Sequence, residues 1–264
     1  MTKNSSTVKS HYKDDSVLSI VTQTDIMISD LFAKTIKKHF SNLNYMIIDE
    51  EKIGQYGNDI FKVIDNTDYQ FVIDPIDGTI QYTYGHPLYG ITIGVYKKGK
   101  PLFGIIYMPI LEELLYSDSK TAYFVQNAFR RNEIKTMLKP QRSSQSPIAF
   151  SNLATWDLTK DYSGNQILFF NYFSAVSQTA YTLLGKAKCC CIRSNLWDVA
   201  GVIPIAECLG MKIFEYTSGK AVDCISPEFF NPDMRMKKKC ILCHKQDFEE
   251  IRSMISPRSD KFRL

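Results

Sequence analysis

The fold is decided by one stretch of the sequence, Phe71-Val72-Ile73-Asp74-Pro75-Ile76-Asp77-Gly78-Thr79. The apolar run Gln70–Ile73 predicts a buried strand that delivers the carboxylate of Asp74 at its C-terminal tip. Pro75 fixes its own φ and favours an extended conformation at Asp74, so the strand is expected to stop there. Gly78 allows a positive φ or a close backbone approach. Two carboxylates three residues apart across this tight turn can therefore converge on one cation.

Thr79 adds a hydroxyl to this turn. The N–H groups of Gly78 and Thr79 can point at a phosphate from the start of a short helix. A bare pair of aspartates spaced D-x-x-D is more typical of a solvated turn. Such a turn does not require both acids together with the threonine. The complete D-P-I-D-G-T motif after an apolar strand therefore favours a binding site.

Further acids are needed, because hard divalent cations take several oxygen ligands. Glu50 and Glu51 follow the apolar run Tyr45–Ile48, which predicts another buried strand. Asp198 lies in Leu196-Trp197-Asp198-Val199-Ala200-Gly201 at the predicted start of a helix, where a carboxylate also gains from the helix dipole. Each has an ordinary alternative, since Asp198 alone is typical of a helix N-cap and Glu50 alone of a surface acid.

The remaining pattern predicts an α/β protein with an α+β N-terminal half. Apolar residues at helical spacing predict a helix over 25–40, and the runs 91–96 and 102–107 predict a hairpin around Gly99. Further strands are predicted at 114–116, 122–125, 148–150, 167–170, 189–192, 212–214 and 240–243, and further helices at 174–184, 199–208 and 246–255. The polar, basic stretch Arg130–Pro147 is interpreted as the boundary between a half over 1–145, with D-P-I-D-G-T, and a half over 146–264, with W-D-V-A-G. Alternating strands and helices favour a layered architecture.

The composition excludes several classes of protein. The 264 residues are 44% hydrophobic, which is enough for a sizeable core. The net charge of +4 comes from 32 basic and 28 acidic residues spread along the chain, so it does not indicate a nucleic-acid partner. No window is apolar enough for a signal peptide or a membrane span. Seven cysteines, all in the last third, do not form a disulfide framework, so we expect a cytoplasmic protein with no membrane partner.

Two cysteine motifs have competing interpretations. Cys240-Ile241-Leu242-Cys243-His244 has the spacing of a c-type haem attachment site or a redox pair, and Cys189-Cys190-Cys191 could bind zinc. The first motif lies on an apolar run, and adjacent cysteines of a strand point to opposite faces. Both are therefore interpreted as ordinary strands.

Four blocks of this sequence resemble the signature blocks of the inositol monophosphatase family. They are D-P-I-D-G-T, the pair Glu50-Glu51 about two dozen residues before it, W-D-V-A-G about 120 residues after it, and V-T-x-x-D at Val21–Asp25. Ile203–Gly210 also resembles the family's apolar helix ending in glycine. The resemblance runs from about residue 17 to the final helix. The superfamily also includes fructose bisphosphatases and phosphoadenosine-phosphate nucleotidases.

The resemblance implies a layered αβαβα sandwich of the sugar-phosphatase type that uses Mg²⁺ to hydrolyse a small phosphate monoester, either inositol monophosphate or a sugar phosphate. The resemblance implies two to three bound ions. Glu50, Asp74 and the carbonyl of Ile76 would bind the first ion, and Asp74, Asp77 and Asp198 would bind the second. Glu50 would also bind a third ion. Glu50, Thr79 and Asp25 would be catalytic, with Thr79 positioning the attacking water and Asp25 accepting its proton. The implied substrate contacts are Asp77, Gly78, Thr79, Ser174, Ala175 and Asp198. Lithium inhibition and a homodimer are also expected.

Two alternative functions stay open at this point. One is a nucleotide phosphatase that acts on 3′-phosphoadenosine 5′-phosphate. The other is a non-catalytic relative that keeps the fold as a binding module. The intact acids disfavour the second alternative, because clustered charge is costly to keep without a use for it.

Several positions depart from the family pattern, among them Gln81-Tyr82 where the family favours Asn-Phe after D-P-I-D-G-T. Asp49 stands where a glycine usually precedes the acidic pair, and Phe173 stands where the family has the glycine of a Gly-(Ser/Thr)-Ala turn. The glutamate that often meets the inositol ring falls near Cys191 or Ile192. The catalytic positions are kept and the substrate-facing ones are not. We therefore expect inositol monophosphate to be a weaker substrate than at least one sugar phosphate or nucleotide phosphate.

Overall fold

The structure, a computed structural model, describes residues 10–12, 20–140, 146–151, 156–158 and 167–257. A two-stranded pair, β1 (Ser10–Tyr12) and β2 (Ile20–Thr22), precedes helix α1 (Gln23–Phe40). A seven-stranded sheet follows in chain order with β3 (Tyr45–Asp49), β4 (Tyr69–Asp77), β5 (Gly90–Lys97), β6 (Lys100–Met108), β7 (Glu113–Ser117), β8 (Ala122–Gln126) and β9 (Ile134–Leu138). β3 and β4 are parallel, and all later neighbours are antiparallel. The predicted hairpin is β5–β6.

Helix α1 confirms the helix predicted over 25–40. It begins with a capping box, in which the hydroxyl of Thr22 accepts from the N–H of Asp25 and the carboxylate of Asp25 accepts from the N–H of Thr22 at 2.8 Å. Its other end packs on β4, where the rings of Phe40 and Phe71 lie 5.3 Å apart. The cap fixes Asp25 at the start of the helix.

The second half of the chain forms a five-stranded sheet and most of the helices. Between β3 and β5 lie a 3₁₀ helix (Glu50–Asp59), α2 (Ile60–Asp65) and α3 (Thr79–Thr83). The later elements are β10 (Ile148–Phe150), β11 (Trp156–Leu158), β12 (Leu168–Phe170), α4 (Ala175–Leu183), β13 (Cys189–Ile192), α5 (Leu196–Val199), α6 (Val202–Cys208), β14 (Met211–Glu215), β15 (Cys240–His244), α7 (Phe248–Met254) and β16 (Ile255–Pro257). The sheet order is β12-β10-β13-β15-β14, and β11 pairs with β16.

These elements stack in five layers. α1 covers one face of the first sheet, α4 and α6 lie between the two sheets, and α7 packs on β15 of the second sheet. The main core joins both halves, with Val72 and Ile106 from the first sheet and Val176, Ile205 and Leu242 from the second half. The predicted αβαβα sandwich is therefore confirmed. The division at 145/146 stays a prediction, because one core spans it.

Two predicted segments need correction. The stretch Arg130–Pro147 is not purely a connection, since it contains the edge strand β9. Ile134 and Met137 of this strand are each 55% exposed, so the strand has no buried face and its sequence lacks the alternation that would reveal it. The single helix predicted over 199–208 is two short helices, α5 and α6.

A proline explains the break between these helices. Pro204 has no N–H, so it cannot donate to the carbonyl of Ala200 four residues earlier. The buried hydroxyl of Tyr96 donates to that carbonyl instead, at 3.0 Å. The turn between α5 and α6 is thereby attached to strand β5.

The cysteine motifs are strands, as expected. Cys240–His244 is β15 and every residue of it is buried, which confirms the predicted strand. Cys189, Cys190 and Cys191 lie on the neighbouring strand β13. In the described parts of the chain, no helix is both long and apolar enough to cross a membrane.

Three glycines let the α5–α6 turn touch the backbone of the first sheet. A Cβ at Gly94 would lie less than 3.0 Å from the carbonyl oxygen of Ala200, and a Cβ at Gly104 would lie less than 3.0 Å from that of Gly201. A Cβ at Gly201 would likewise lie less than 3.0 Å from the carbonyl oxygens of Ile105 and Ile93. No side chain fits between these backbones, so the glycines set the distance between the helices and the sheet.

We predict that Gly104→Ala lowers the free energy of unfolding by about 3 kcal/mol, because the added methyl group must displace backbone atoms. Gly54→Ala is the control, since a Cβ at Gly54 meets nothing within 4 Å. Urea unfolding of both variants measures the effect. Equal midpoints for the two variants would contradict the close contact.

Candidate metal centre

Strand β4 brings Asp74 and Asp77 to one place through a bulge. Asp74 pairs with Thr92 and Asp77 with Gly90, so the two residues between them on β4 lie opposite a single residue of β5. In a regular strand, residues three apart point to opposite faces, but one extra residue reverses the alternation. Pro75 fits this irregular position, because a bulge needs no ladder hydrogen bond from its N–H. The prediction that the strand stops at Asp74 is therefore wrong, and the bulge explains the convergence.

Asp198 completes a group of three carboxylates. One oxygen atom each of Asp74, Asp77 and Asp198 lies within 4.8 Å of the others. Among the residues that the structure describes, this is the one group of three acidic, histidine or cysteine side chains close enough to share an ion. Asp198 is held by the N–H of Asn195, which donates to its Oδ2 at 2.8 Å in the capping box of α5. Its helix-capping and site roles are therefore compatible.

Asp77 also anchors the start of α4. It accepts hydrogen bonds from the hydroxyl of Ser174, from the N–H of Ala175 at 3.1 Å and from the N–H of Val176 at 2.9 Å. These donors come from a segment almost a hundred residues away in the chain. The carboxylate thus joins the second half of the protein to the motif of the first half and is fixed in orientation.

Burial disfavours the charged forms of all three acids. Asp74 is 2% exposed, and burial together with the negative charges of Glu50, Asp77 and Asp198 holds its pKa well above the usual range. Burial raises the pKa of Asp77 to about 6, although its three hydrogen-bond donors act in the opposite direction. Burial and the charge of Asp77 raise the pKa of Asp198 to about 8. Ionising all three acids together therefore costs free energy unless a cation offsets their charge.

The donor atoms of this site suit a hard divalent cation. Oδ1 of Asp74 is buried and has no hydrogen-bond partner in the protein. The group contains carboxylate oxygens and no sulfur or imidazole ligand. Oxygen ligands of high negative charge are those that Mg²⁺ and Ca²⁺ prefer. An uncompensated buried carboxylate is costly, so the residues present fit such an ion.

Glu50 lies beside the three aspartates but outside their group. It begins the 3₁₀ helix after β3, and its charge raises the pKa of Asp74, Asp77 and Asp198. Glu50 is therefore close enough to act on every member of the group. The carbonyl of Ile76 accepts a hydrogen bond from the hydroxyl of Thr79 at 3.1 Å.

Asp25 reaches the same region from α1. It is 1% exposed, and burial raises its pKa, with a smaller upward effect from the charge of Glu50. The hydroxyl of Thr22 and the N–H of Thr22 both donate to its Oδ2. The hydroxyl proton of Thr79 is directed to Ile76, so a direct pair between Thr79 and Asp25 stays a prediction.

Gly78 has the predicted left-handed conformation, with φ +85°. It lies between two side chains, since a Cβ there would be 3.1 Å from Cβ of Ser174 and 3.2 Å from Cβ of Tyr89. Tyr89 was not predicted as a site residue. A tyrosine before an ordinary strand carries no signal of its position beside Gly78.

Asp49 is a further site neighbour whose importance the sequence did not reveal. It is 1% exposed, and its Oδ1 accepts from the hydroxyl of Ser29 on α1 and from the N–H of Glu51, both at 3.0 Å. It thereby attaches the acidic segment to the helix that carries Asp25. An aspartate directly before a helical segment is a typical N-cap, and that signal could have identified it.

Comparison with known proteins identifies the family. The model of the family described as "Inositol monophosphatase family" matches residues 2–255. A "Fructose-1,6-bisphosphatase/inositol-1-monophosphatase" of Thermotoga maritima is 29% identical over 92% of this chain and 87% of that protein. "Inositol monophosphatase 3" of Solanum lycopersicum is 26% identical over 81% of this chain and 79% of that protein.

The fold is shared with solved structures. A structure titled "Crystal structure of IMPase/NADP phosphatase complexed with Mg2+ and phosphate" superposes with a TM-score of 0.70 at 16% identity, over 93% of this chain and 85% of that chain. The family model covers nearly the whole chain, including every residue of the carboxylate group. This chain belongs to the inositol monophosphatase family, a family of phosphoric monoester hydrolases.

Proposed function

We infer that this protein hydrolyses a small phosphate monoester in a Mg²⁺-dependent reaction at the carboxylate group of Asp74, Asp77 and Asp198. The observation that carries the proposal is the convergence of three acids within 4.8 Å, all with raised pKa values. Carboxylates brought this close together need a bound cation to ionise together at neutral pH. The relative whose structure is described as complexed with Mg²⁺ and phosphate supports this choice of ion.

The proposed ligands of two to three magnesium ions are these three acids with Glu50 and the carbonyl of Ile76. Bound magnesium would make a nearby water more acidic and offset the charge of the phosphate oxygens. Asp77 is held in place by α4 and Asp198 by Asn195, so both carboxylates are oriented before an ion arrives. Preorganised ligands avoid reordering during the reaction.

Asp25 and Thr79 are proposed to handle the proton of the attacking water. Asp25 is buried beside Glu50 with a raised pKa, which brings its basicity closer to that of an effective proton acceptor at neutral pH. Thr79 is the last residue of the D-P-I-D-G-T motif, and its hydroxyl would turn from Ile76 to orient the water. The two hydrogen bonds from Thr22 fix the carboxylate of Asp25 for this role.

The phosphate is proposed to lie against Gly78, Thr79 and the acids of the group. Ser174 and Ala175 already donate to Asp77, so we propose that they act on the substrate chiefly through that carboxylate. Inositol monophosphate and sugar phosphates remain the first substrates to test, and the name of the Thermotoga maritima relative covers both kinds. Lithium inhibition, a homodimer and a cytoplasmic location stay predictions.

Chelation by EDTA should abolish phosphate release, and Asp77→Asn should lower kcat/KM by at least about 100-fold, because an uncharged ligand forfeits several kcal/mol of charge stabilisation. The matched control is Asp118→Asn, since Asp118 also accepts from two backbone N–H groups but lies on an exposed turn. Phosphate release from a panel of monoesters, with and without Mg²⁺, measures both effects. Phosphate release that is unchanged by EDTA would contradict the proposal.

The metal-free protein should lose thermal stability as the pH rises. A carboxyl group whose pKa is raised in the folded state stabilises the fold below its unfolded pKa, and this contribution is lost as the pH rises through the folded pKa. For Asp77 and Asp198 that window runs from 3.8 to about 6 and about 8 respectively. The melting temperature in EDTA should therefore fall by several degrees between about pH 5 and pH 8.

Mg²⁺ should raise the melting temperature more at about pH 8 than at about pH 5, because the ligands must lose their protons to bind. Differential scanning fluorimetry of the wild type and of Asp198→Asn measures the difference. The variant should show a smaller fall with pH and a smaller rise with Mg²⁺. An equal rise at both pH values is the result that would rule out these ligands.

Thr79→Ala and Asp25→Asn should each lower kcat by about 100-fold with little change in KM, because general-base catalysis acts on the chemical step. Asp30→Asn is the control for Asp25, since Asp30 lies on the same helix with an exposed side chain paired to Lys52. Steady-state kinetics at saturating Mg²⁺ separates the two parameters. A change confined to KM would reassign both residues to substrate binding.

A further inference from the structure

Gln81 is a buried polar side chain just after the D-P-I-D-G-T motif. It lies on α3, two residues after Thr79, and is only 7% exposed. Its Nε2 donates to the carbonyl oxygen of Tyr172 at 2.8 Å, across 91 residues of the chain. Its own carbonyl oxygen accepts from the N–H of His86 at 2.8 Å, which fixes the backbone from which the side chain extends. Gln81 therefore links the motif to the segment that leads into α4.

The side chain of Gln81 passes beside Gly78 on its way to Tyr172. A Cβ at Gly78 would lie 3.2 Å from Oε1 of Gln81 and 3.1 Å from Cβ of Ser174. This Oε1 is buried and has no hydrogen-bond partner in the parts of the chain that the structure describes. A buried oxygen without a partner costs free energy. The value of a glutamine at this position is therefore expected to come from its donor, Nε2.

The hydrogen bond from Gln81 reaches the peptide group that sets the backbone of Phe173. The carbonyl oxygen of this peptide belongs to Tyr172 and accepts from Gln81. Its N–H belongs to Phe173 and donates to Oδ1 of Asn171 at 2.8 Å. Both polar atoms are held, so the orientation of the peptide is fixed, and with it the φ of Phe173, +54°. A bulky residue rarely adopts this left-handed conformation, so the two hydrogen bonds oppose its relaxation.

The backbone after Phe173 supplies the donors that orient Asp77. The hydroxyl of Ser174 and the N–H groups of Ala175 and Val176 all donate to this carboxylate. A relaxation of Phe173 to negative φ would change the direction of the chain after it, so these donors would move. Groups that orient a metal ligand affect the affinity for the metal even though they do not touch the ion.

We propose that Gln81 is a positioning residue of the metal centre. By holding the peptide before Phe173, it keeps the start of α4 in the conformation that orients Asp77 for Mg²⁺. In this role Gln81 touches neither the ion nor the substrate and acts only through Asp77. The inference rests on the proposed function, because that function assigns Asp77 as a ligand of the ion.

Titration calorimetry of Mg²⁺ into the metal-free protein tests this role without turnover. Gln81→Met keeps the length of the side chain and removes its donor, so it should raise the dissociation constant for Mg²⁺ by about 10-fold. At saturating Mg²⁺, kcat should stay within about 3-fold of the wild-type value, because the ligands themselves are intact. If Gln81→Met fails to fold, Gln81→Asn serves instead, because it keeps an amide but shortens the side chain by one methylene group.

Phe173→Gly should compensate for the lost donor. Glycine adopts a positive φ without steric cost, so the turn no longer depends on the hydrogen bond from Gln81. In the double variant Gln81→Met/Phe173→Gly, the dissociation constant for Mg²⁺ should return to within about 3-fold of the wild-type value. Lys98→Gly is the matched control, since Lys98 also has positive φ, +50°, but lies in the β5–β6 hairpin at the opposite end of β4 from Asp77. Combined with Gln81→Met, it should restore no affinity.

Gln70→Met controls for the loss of a buried amide. Gln70 is a fully buried glutamine of β4, whose Nε2 donates to the carbonyl oxygen of Thr67 at 3.0 Å and whose Oε1 accepts from the N–H of Gly99 at 2.9 Å. These contacts lie at the start of β4, so Gln70→Met should lower the melting temperature and leave the affinity for Mg²⁺ unchanged. An equal loss of affinity in Gln70→Met would overturn the positioning role, because any destabilisation would then have the same effect.

The remaining outcomes distinguish this inference from the proposed function. If the wild type binds Mg²⁺ and releases phosphate but Gln81→Met binds Mg²⁺ equally well, the positioning role is overturned and the proposed function stands. The positioning role is also overturned if Gln81→Met loses affinity and Phe173→Gly restores none of it. If the wild type binds no Mg²⁺ and releases phosphate from no ester, the proposed function itself fails, and the positioning role fails with it.

Discussion

The contact between the α5–α6 turn and the first sheet determines where the three carboxylates meet. Gly94 on β5 and Gly104 on β6 have no side chain, so the backbone of Ala200 and Gly201 can pack directly against these strands. Asp198 comes two residues before Ala200, and this contact brings its carboxylate to those of Asp74 and Asp77. A larger residue at any of these glycines would lift α5 from the sheet and open the carboxylate group. Close packing of backbone therefore sets the geometry of the charges.

The same carboxylates also hold the two halves of the protein together. Asp77 accepts three hydrogen bonds from the start of α4, and one core runs from the first sheet through α4 and α6 to the second. Burial and mutual repulsion oppose the ionisation of these carboxylates. Without a bound cation, their negative charges therefore destabilise the packing of the two halves. Because an ion that binds only the folded state stabilises it, metal affinity and stability are linked through these groups.

The sequence predicted those features that depend on local pattern. Helical spacing predicted α1, two apolar runs around Gly99 predicted the β5–β6 hairpin, and the D-P-I-D-G-T and W-D-V-A-G motifs contain the three acids that the fold brings together. It could not predict the bulge that turns Asp74 and Asp77 to one face, because a bulge exists only relative to the partner strand β5. The exposed edge strand β9 has no buried face, so its sequence shows no alternation of apolar and polar residues. The position of Tyr89 beside Gly78 likewise depends on tertiary packing.

The backbone and the side chain of Phe173, at the start of α4, are under different constraints. The backbone at Phe173 is determined by the start of α4, since Ser174, Ala175 and Val176 must all donate to Asp77. A non-glycine residue in the resulting left-handed conformation costs roughly 1–3 kcal/mol, so a glycine would be the more stable choice there. The side chain of Phe173 itself contributes little to the core, because it is mostly exposed. The donors to Asp77 therefore dictate the backbone of this turn, whereas the exposed side chain at position 173 lies outside that constraint.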